Sequence, residues 1–511
     1  MKRTLFKKSI GSTHISSGYG GSGTLLSLLI MGILSLQFFS CAVQHKPLPV
    51  SVPELFSISG PEPLADKWWQ SFGDPQLNQL IEQALLHNFD ILIAWDRLDQ
   101  AGALLAISKA GQWPQAQLDF GSRYLEKMGE EESQDNILPP GGNLPSAGSS
   151  SFSNGAQGSF SLLSEGSTHS LTFAASYELD LWGRIRASRQ AAQADFLATR
   201  EDLHSIAISL TSSVAAVWFE LREAEAQLDL LAKQVQLNES YLKLLELRFQ
   251  KGLVSAADVY QQRQQRAFTV GELPLIRARR AVLKNQLALL VGQPPTQFQM
   301  EPGSALPTLK PLPKTGLQAD LLLRRPDVRA VTLHLEAADH RVAAALANRL
   351  PRLSISASAS DEEDTVRSLY KNWLANIAYN ITAPLFDAGR LSREVERTRA
   401  VAQERLHTFG RVALNALREV EDALVQEQQQ RVYCENLVEQ IQLARRTMMV
   451  TQTRFQNGST DYLPVLTALQ TLQSLERRQI EAKRILFLYR INLYRALAGG
   501  WELQRHTEQD V

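Results

Sequence analysis

The sequence predicts a mixed α+β membrane protein. Long coiled-coil helices carry a small set of amphipathic β-strands, and the same plan occurs twice in tandem. Three observations predict it. Landmark residues recur at one fixed offset, and four segments of about ten residues alternate apolar and polar side chains. A seven-residue apolar repeat runs from Leu210 to Phe249 with one interruption.

The chain of 511 residues opens with a basic segment (Lys2, Arg3, Lys7, Lys8) and an apolar stretch from Leu25 to Phe39, ending at Ser40-Cys41. This reads as a signal peptide over residues 1–40 with a small residue before the cleavage point. A cysteine directly after an export signal points to a bacterial lipoprotein. The Cys41 thiol then carries an S-diacylglycerol and its freed amine an N-palmitoyl chain. Each buried CH₂ adds about 0.8 kcal/mol, so three chains hold firmly. Phe38 and Phe39 depart from the residues usual before a lipidated cysteine, and an ordinary signal peptide or an uncleaved anchor are the alternatives. No other stretch approaches about 18 consecutive apolar residues. Any further entry into a membrane must then use β-strands. A lipidated Pro-rich tether spans 41–66.

A second Pro-rich linker, 293–320, divides the rest into a first structural repeat (67–292) and a second (321–501), with a polar tail over 502–511. Gly183-Arg184 recurs as Gly389-Arg390, and Arg248-Phe249-x-x-Gly252 as Arg454-Phe455-x-x-Gly458, both at an offset of 206. Leu287 to Val291 falls on Leu493 to Leu497 at the same offset. Upstream, Trp113-Pro114 pairs with Leu350-Pro351 at an offset of 237, so the first half carries 31 extra residues, supplied by the Gly/Ser-rich stretch from Gly129 to Ser164. Each half reads helix, strand, loop, strand, long helix, turn, long helix.

The strands follow from period-two alternation. Ala116, Leu118, Phe120 and Tyr124 alternate with polar residues, as do Leu171, Phe173, Ala175, Tyr177 and Leu179. Leu353, Ile355, Ala357 and Ala359 alternate with serines, and Ile377, Tyr379 and Ile381 with Asn376, Asn380 and Thr382. Such strands suit a half-buried soluble sheet or a membrane barrel that faces lipid on one side. The heptads predict a coiled-coil helix over about 186–250, roughly 100 Å long. Asn238 alone breaks its seam. Gly252 marks the turn, and a partner helix returns over 256–291. The second half repeats this with turns at Gly458 and Gly499-Gly500, and Glu427 interrupts its seam.

Composition excludes several classes. Lys+Arg and Asp+Glu are 53 each, so no charge excess points to nucleic acid. The two cysteines, Cys41 and Cys434, form no metal or disulfide framework, and Cys434 reads as a buried core thiol. Nine histidines are scattered, and no nucleophile elbow, phosphate loop or zinc spacing appears. Asp361-Glu362-Glu363-Asp364 reads as a solvated loop between strands, and Glu419-x-Glu421-Asp422 as a solvated helix face. The chain is therefore not expected to be an enzyme or to hold a cofactor or metal; its one attached group is the lipid on Cys41.

Four amphipathic strands cannot close a membrane barrel. Open edges in lipid leave backbone groups unpaired at several kcal/mol each, and bacterial barrels need at least about eight strands. Three copies arranged cyclically supply twelve strands and continue as a twelve-helix tube.

Several motifs resemble the TolC-like outer-membrane factor family, in its lipoprotein branch serving resistance-nodulation-division pumps. They are Trp68-Trp69-x-x-Phe72-x-Asp74-Pro75, Glu178-Leu179-Asp180-Leu181-Trp182-Gly183-Arg184, Arg324-Arg325-Pro326-Asp327, Pro384-Leu385-Phe386-Asp387-Ala388-Gly389-Arg390 and Arg495-Ala496-Leu497-Ala498-Gly499-Gly500-Trp501. The resemblance implies a homotrimeric twelve-stranded outer-membrane barrel, four strands per chain, continued by an α-helical periplasmic barrel. It implies a passive exit channel of a tripartite efflux pump, joined by a periplasmic adaptor to an inner-membrane transporter. The cargo would be drugs, toxic compounds or metal ions.

The resemblance also places a gate at the inner tip, near the turn glycines Gly252 and Gly458. The family's aspartate-ring positions fall here on Pro464 and Thr467, neither acidic, and a constriction leucine falls on Leu463. Asp258 matches a residue that ties neighbouring helices, but its usual tyrosine and arginine partners are replaced by Phe455 and Thr460. Asp461 is the other nearby acid. Capping of a helix start is the alternative reading for both aspartates. Two rival functions fit the same sequence: the outer-membrane duct of a protein (type I) secretion system, and a non-channel coiled-coil surface lipoprotein.

Overall fold

The computed structural model describes residues 55–61, 65–125, 166–299, 306–316, 318–497, 501, 503 and 505. The signal, Cys41, most of the tether, the Gly/Ser-rich insertion and Gly499-Gly500 lie outside the described residues.

A short 3-10 turn, Trp68–Phe72, leads into α1 (Pro75–His87) and α2 (Phe89–Ala110). Then come β1 (Gln115–Leu125), β2 (Gly166–Leu179), α3 (Arg184–Gln250) and α4 (Ala256–Leu290). The second half has α5 (Gln318–Arg324), α6 (Pro326–Ala347), β3 (Arg352–Glu363), β4 (Leu374–Thr382), α7 (Arg390–Gln456) and α8 (Leu463–Leu497). The α5 helix begins inside the segment read as linker. Corresponding helices have equal lengths: 22 residues for α2 and α6, 67 for α3 and α7, 35 for α4 and α8.

The junctions explain the recurring motifs. Asp180 accepts from the backbone N–H groups of Ile185 and Arg186 at the start of α3. Asp387 accepts from Gly389 and Leu391 at the start of α7. These carboxylates satisfy orphan amide donors and oppose the positive helix end. Backbone N–H bonds hold Asp387 below the usual carboxylate range, with a smaller contribution from Arg390. At the far ends, Gly252 (φ 70°) and Gly458 (φ 73°) take the left-handed conformation that stops each helix. The Leu253 and Ser459 amides bond back to the Arg248 and Arg454 carbonyls.

The four strands form one antiparallel sheet in the order β1-β2-β3-β4. Leu118 lies opposite Phe173 in the first hairpin, and Ile355 opposite Tyr379 in the second. Moving the first pair by offsets of 237 and 206 gives the second. Across the halves, Phe173 faces Ala359. This register gathers Leu118, Phe120, Phe173, Ile355, Ile377 and Tyr379 on one face, and Gln117, Asp119, Thr172, Ser356, Ser358 and Asn376 on the other. Asp361 departs from the solvated-loop reading. It lies within the last three residues of β3 as a buried carboxylate and accepts from the Tyr370 and Asn372 amides, folding the β3–β4 connection back on itself.

The main core lies where the 3-10 turn and α1 meet α3, α4 and α8. Trp68, Trp69, Phe72, Trp218, Phe219, Phe487, Tyr494 and Trp501 pack there, with the Phe219 and Phe487 rings stacked at 4.4 Å. Asp74 caps α1 through one oxygen and accepts from Trp218 Nε1 at 2.8 Å through the other. The Trp-Trp…Phe…Asp-Pro motif is thus the fastening of the N-terminal helices to the long ones. In the Arg-Arg-Pro-Asp motif, Arg325 bridges Asp327, Glu419 and the Ala496 carbonyl, tying α6 to α7 and α8. Glu419 is thereby engaged in an ion pair rather than merely solvated. One 18-residue window of α3 is apolar enough to cross a bilayer by composition, and 56% of it is buried. It serves as the core helix.

Candidate functional site in the sheet edges and helical tips

At the sheet, β1 and β4 are terminal strands, each with one edge unpaired among the described residues. The apolar face is bare: Leu118 is 66% exposed, Ile377 66% and Tyr379 74%. A sheet with one apolar exposed face and two free edges is an interface awaiting strands and an apolar surround.

At the tips, the sequence-selected residues divide. Gly252 and Gly458 end α3 and α7 as expected. Asp258 sits in a capping box: its side chain accepts from the Ser255 amide at 2.9 Å and hydroxyl at 2.7 Å, while Ser255 Oγ accepts from the Asp258 amide. It is bonded to neither Phe455 nor Thr460. Asp461 is exposed just before α8. Leu463, 55% exposed, and Thr467 lie one turn apart on α8. With Pro464, Thr447, Thr451 and Thr471 they line a groove of about 480 Å³ between α7 and α8.

Behind the tips lies a buried polar network that explains the broken seam. The Asn238 amide donates to Thr269 Oγ1 at 2.9 Å and its side-chain carbonyl accepts from Gln473 at 3.1 Å. Gln262 donates to the Asn238 backbone carbonyl at 2.8 Å and accepts from the Tyr462 hydroxyl at 2.6 Å. Gln265 donates to Gln473. The network links α3, α4 and α8. Burial, followed by the neighbouring Tyr241 and Asp258, pushes the Tyr462 hydroxyl well above the ordinary phenol value. The second interruption has the same logic: Glu427 is fully buried and paired with fully buried Arg490 at 2.5 and 2.7 Å. Asn238 and Glu427 were visible in the sequence as breaks in a pattern; Gln262, Gln473, Tyr462 and Arg490 carried no such signal. Cys434 is half-buried against Leu437, Ile441 and Leu475, and burial raises its thiol.

The outer membrane efflux protein family model matches residues 80–293 and 317–499. The chain is 28% identical over 441 residues to the pyoverdine export outer membrane protein OpmQ of Pseudomonas aeruginosa, covering 86% of this chain and 88% of that one. It is 27% identical over 487 residues to the cation efflux system protein CusC of Escherichia coli O6:H1, covering 92% and 97%. The crystal structure of the outer membrane protein VceC from Vibrio cholerae matches with a TM-score of 0.73 at 26% identity, covering 86% of this chain and 100% of that one.

The fold and these likenesses define a channel of the outer membrane. The chain belongs to the outer membrane efflux protein family. It is an outer-membrane exit channel of an efflux pump, extending into the periplasm.

Proposed function

We propose that three copies of this chain close a twelve-stranded barrel, with β4 of each pairing with β1 of the next, and that small molecules pass through it passively from periplasm to exterior. The observation that carries this is the four-stranded sheet with two free edges and one exposed apolar face. The apolar face meets lipid, and the Gln117, Ser356 and Asn376 face lines the bore. The long helices continue the bore as a periplasmic tube narrowed at Leu463. The equal element lengths and repeated strand register support a tandem duplication as the origin of the two halves. A periplasmic adaptor and an inner-membrane resistance-nodulation-division transporter complete the pump, and Cys41 carries its lipid anchor. The names of OpmQ and CusC point to pyoverdine and cations, which supports small solutes rather than secreted proteins as the cargo class.

The internal pairing supplies the register. The β2–β3 pair Phe173 and Ala359, moved by the same offsets, sets Tyr379 of one copy opposite Ser122 of the next. In a Cys434→Ser background, Ser122→Cys with Tyr379→Cys brings Cα atoms to about 4.5–5.5 Å, within disulfide range. Oxidation is expected to yield covalently closed trimers that still conduct in planar bilayers. The control, Ser122→Cys with Ile377→Cys, is a diagonal pair at roughly 7–8 Å and should not close. Equal yields from both pairs, or monomers only, would overturn the reading.

A further inference from the structure

The helical tips carry an arginine clamp of which one chain completes only half. At the end of α3, the Arg248 guanidinium donates to the carbonyl oxygens of Phe455 and Gln456, the last two residues of α7, each at 3.1 Å. Its central carbon lies 4.6 Å from the centre of the Phe455 ring. One side chain thus satisfies two helix-end carbonyls, opposes the negative end of the α7 dipole and covers an aromatic face. Phe455 is 5% exposed.

The second half contains the same parts. Arg454-Phe455-x-x-Gly458 matches Arg248-Phe249-x-x-Gly252 residue for residue. Yet Arg454 is exposed and its guanidinium has no hydrogen-bond or ion-pair partner among the described residues. Phe249 is 47% exposed. The Phe249 and Gln250 carbonyls at the end of α3 receive no side-chain donor among the described residues. A donor and an acceptor of matching chemistry are both present, and they do not meet within the chain.

The sheet shows how they can meet. Within one chain the first half hands on to the second by pairing β2 with β3, and at the tip by Arg248 reaching the end of α7. The same step taken once more, from the second half of one copy to the first half of the next, carries Arg454 to the end of α3 of the following copy. We propose that Arg454 caps the α3 terminus of the neighbouring copy, donating to its Phe249 and Gln250 carbonyl oxygens and covering its Phe249 ring. This rests on the trimeric reading above. The two clamps then hold different seams. Arg248 fastens the two hairpins of one chain, and Arg454 fastens neighbours. Release of Arg454 opens the tip between copies while each chain keeps its own packing.

Cross-linking in the assembled, detergent-solubilised protein tests this, again with Cys434→Ser. Arg454→Cys with Gln250→Cys, treated with a short bis-maleimide, should give inter-chain dimers and trimers on denaturing gels. Arg248→Cys with Gln456→Cys should give only linked monomers. In planar bilayers, Arg454→Ala should raise basal conductance several-fold. Arg454→Lys should stay raised, because an ammonium cannot fork to two carbonyls and lie flat on a ring. If the Ser122–Tyr379 disulfide forms trimers while the 454/250 pair gives no inter-chain product, the clamp is refuted and the trimer stands. If neither pair links chains, the trimeric reading itself falls.

Discussion

Replacing Glu427 by leucine tests the energetics of the helical region at its most demanding point. Glu427 and Arg490 are both fully buried and joined by two charge-assisted hydrogen bonds. Arg490 also donates to the Lys310 and Pro311 carbonyls at 3.0 and 2.9 Å, holding the Pro-rich linker against α8. Glu427→Leu strands the Nε and Nη2 donors of a guanidinium away from water. Removing one partner of such a buried pair costs about 3–5 kcal/mol. With an unfolding entropy of about 2 cal/mol/K per residue, that lowers the melting temperature of a chain this long by roughly 3–5 °C. Arg490→Met should fall at the lower end, because Glu427 keeps Arg431 at 3.1 Å. The double variant, apolar on both sides, should recover most of the loss. Circular-dichroism melts of the parent, both single variants and the double variant in detergent complete the cycle. A Glu427→Leu melt within about 1 °C of the parent, or single effects that add with coupling below about 0.5 kcal/mol, would refute the account of why charge interrupts this seam.

Three further outcomes are expected. Asn238→Leu restores an unbroken apolar heptad yet takes the donor from Thr269 Oγ1 and the acceptor from the Gln473 side-chain amide, so it should destabilise by about 1–3 kcal/mol; a higher melting temperature would show that the coil pattern outweighs the network. The raised Tyr462 value contributes stability that is complete below the unfolded phenol pKa of about 10 and is lost as pH rises through the higher folded value. Alkaline melts of Tyr462→Phe should therefore be flatter above about pH 10 than those of the parent. On the proposed lipidation and barrel, Cys41→Ser should remove all acyl mass from the N-terminal peptide by mass spectrometry while conductance persists, since a closed barrel would itself hold the assembly in the membrane.

Much of the fold could be read from the chain before its structure. The helix expected over 186–250 spans Arg184–Gln250, and the four alternating segments are the four strands. Periodicity and glycine position are local signals, and both turns sit where left-handed glycines stop a helix. The tip was read less completely. Asp258, for which helix-start capping and helix tying were both open readings, closes a capping box with Ser255, a role set by residues only three positions apart. Seam position reports which face of a helix is buried but not which third helix will meet it. Asn238 and Glu427 therefore registered as faults, and their partners on α4 and α8 could not be named. The match between Arg248 and Arg454 was visible as a repeated motif. That Arg248 is engaged while Arg454 has no partner among the described residues was not legible in the motif, because both copies of it are spelled alike.

The equal lengths of α3 and α7, and of α4 and α8, limit how this architecture can change. One residue inserted into a long helix turns everything beyond it by about 100° and lifts it 1.5 Å, throwing core side chains into solvent. Lengthening is tolerated in whole heptads of about 10 Å, and only if the outgoing and returning helices of both halves grow together; otherwise one hairpin hangs below the other and the rim is no longer level. The 31-residue difference between the halves falls in the segment joining β1 to β2, where added length displaces no rung of any helix. Reach into the periplasm is thus a joint property of four helices, changing by coordinated jumps, while the strand-joining segments are free to drift.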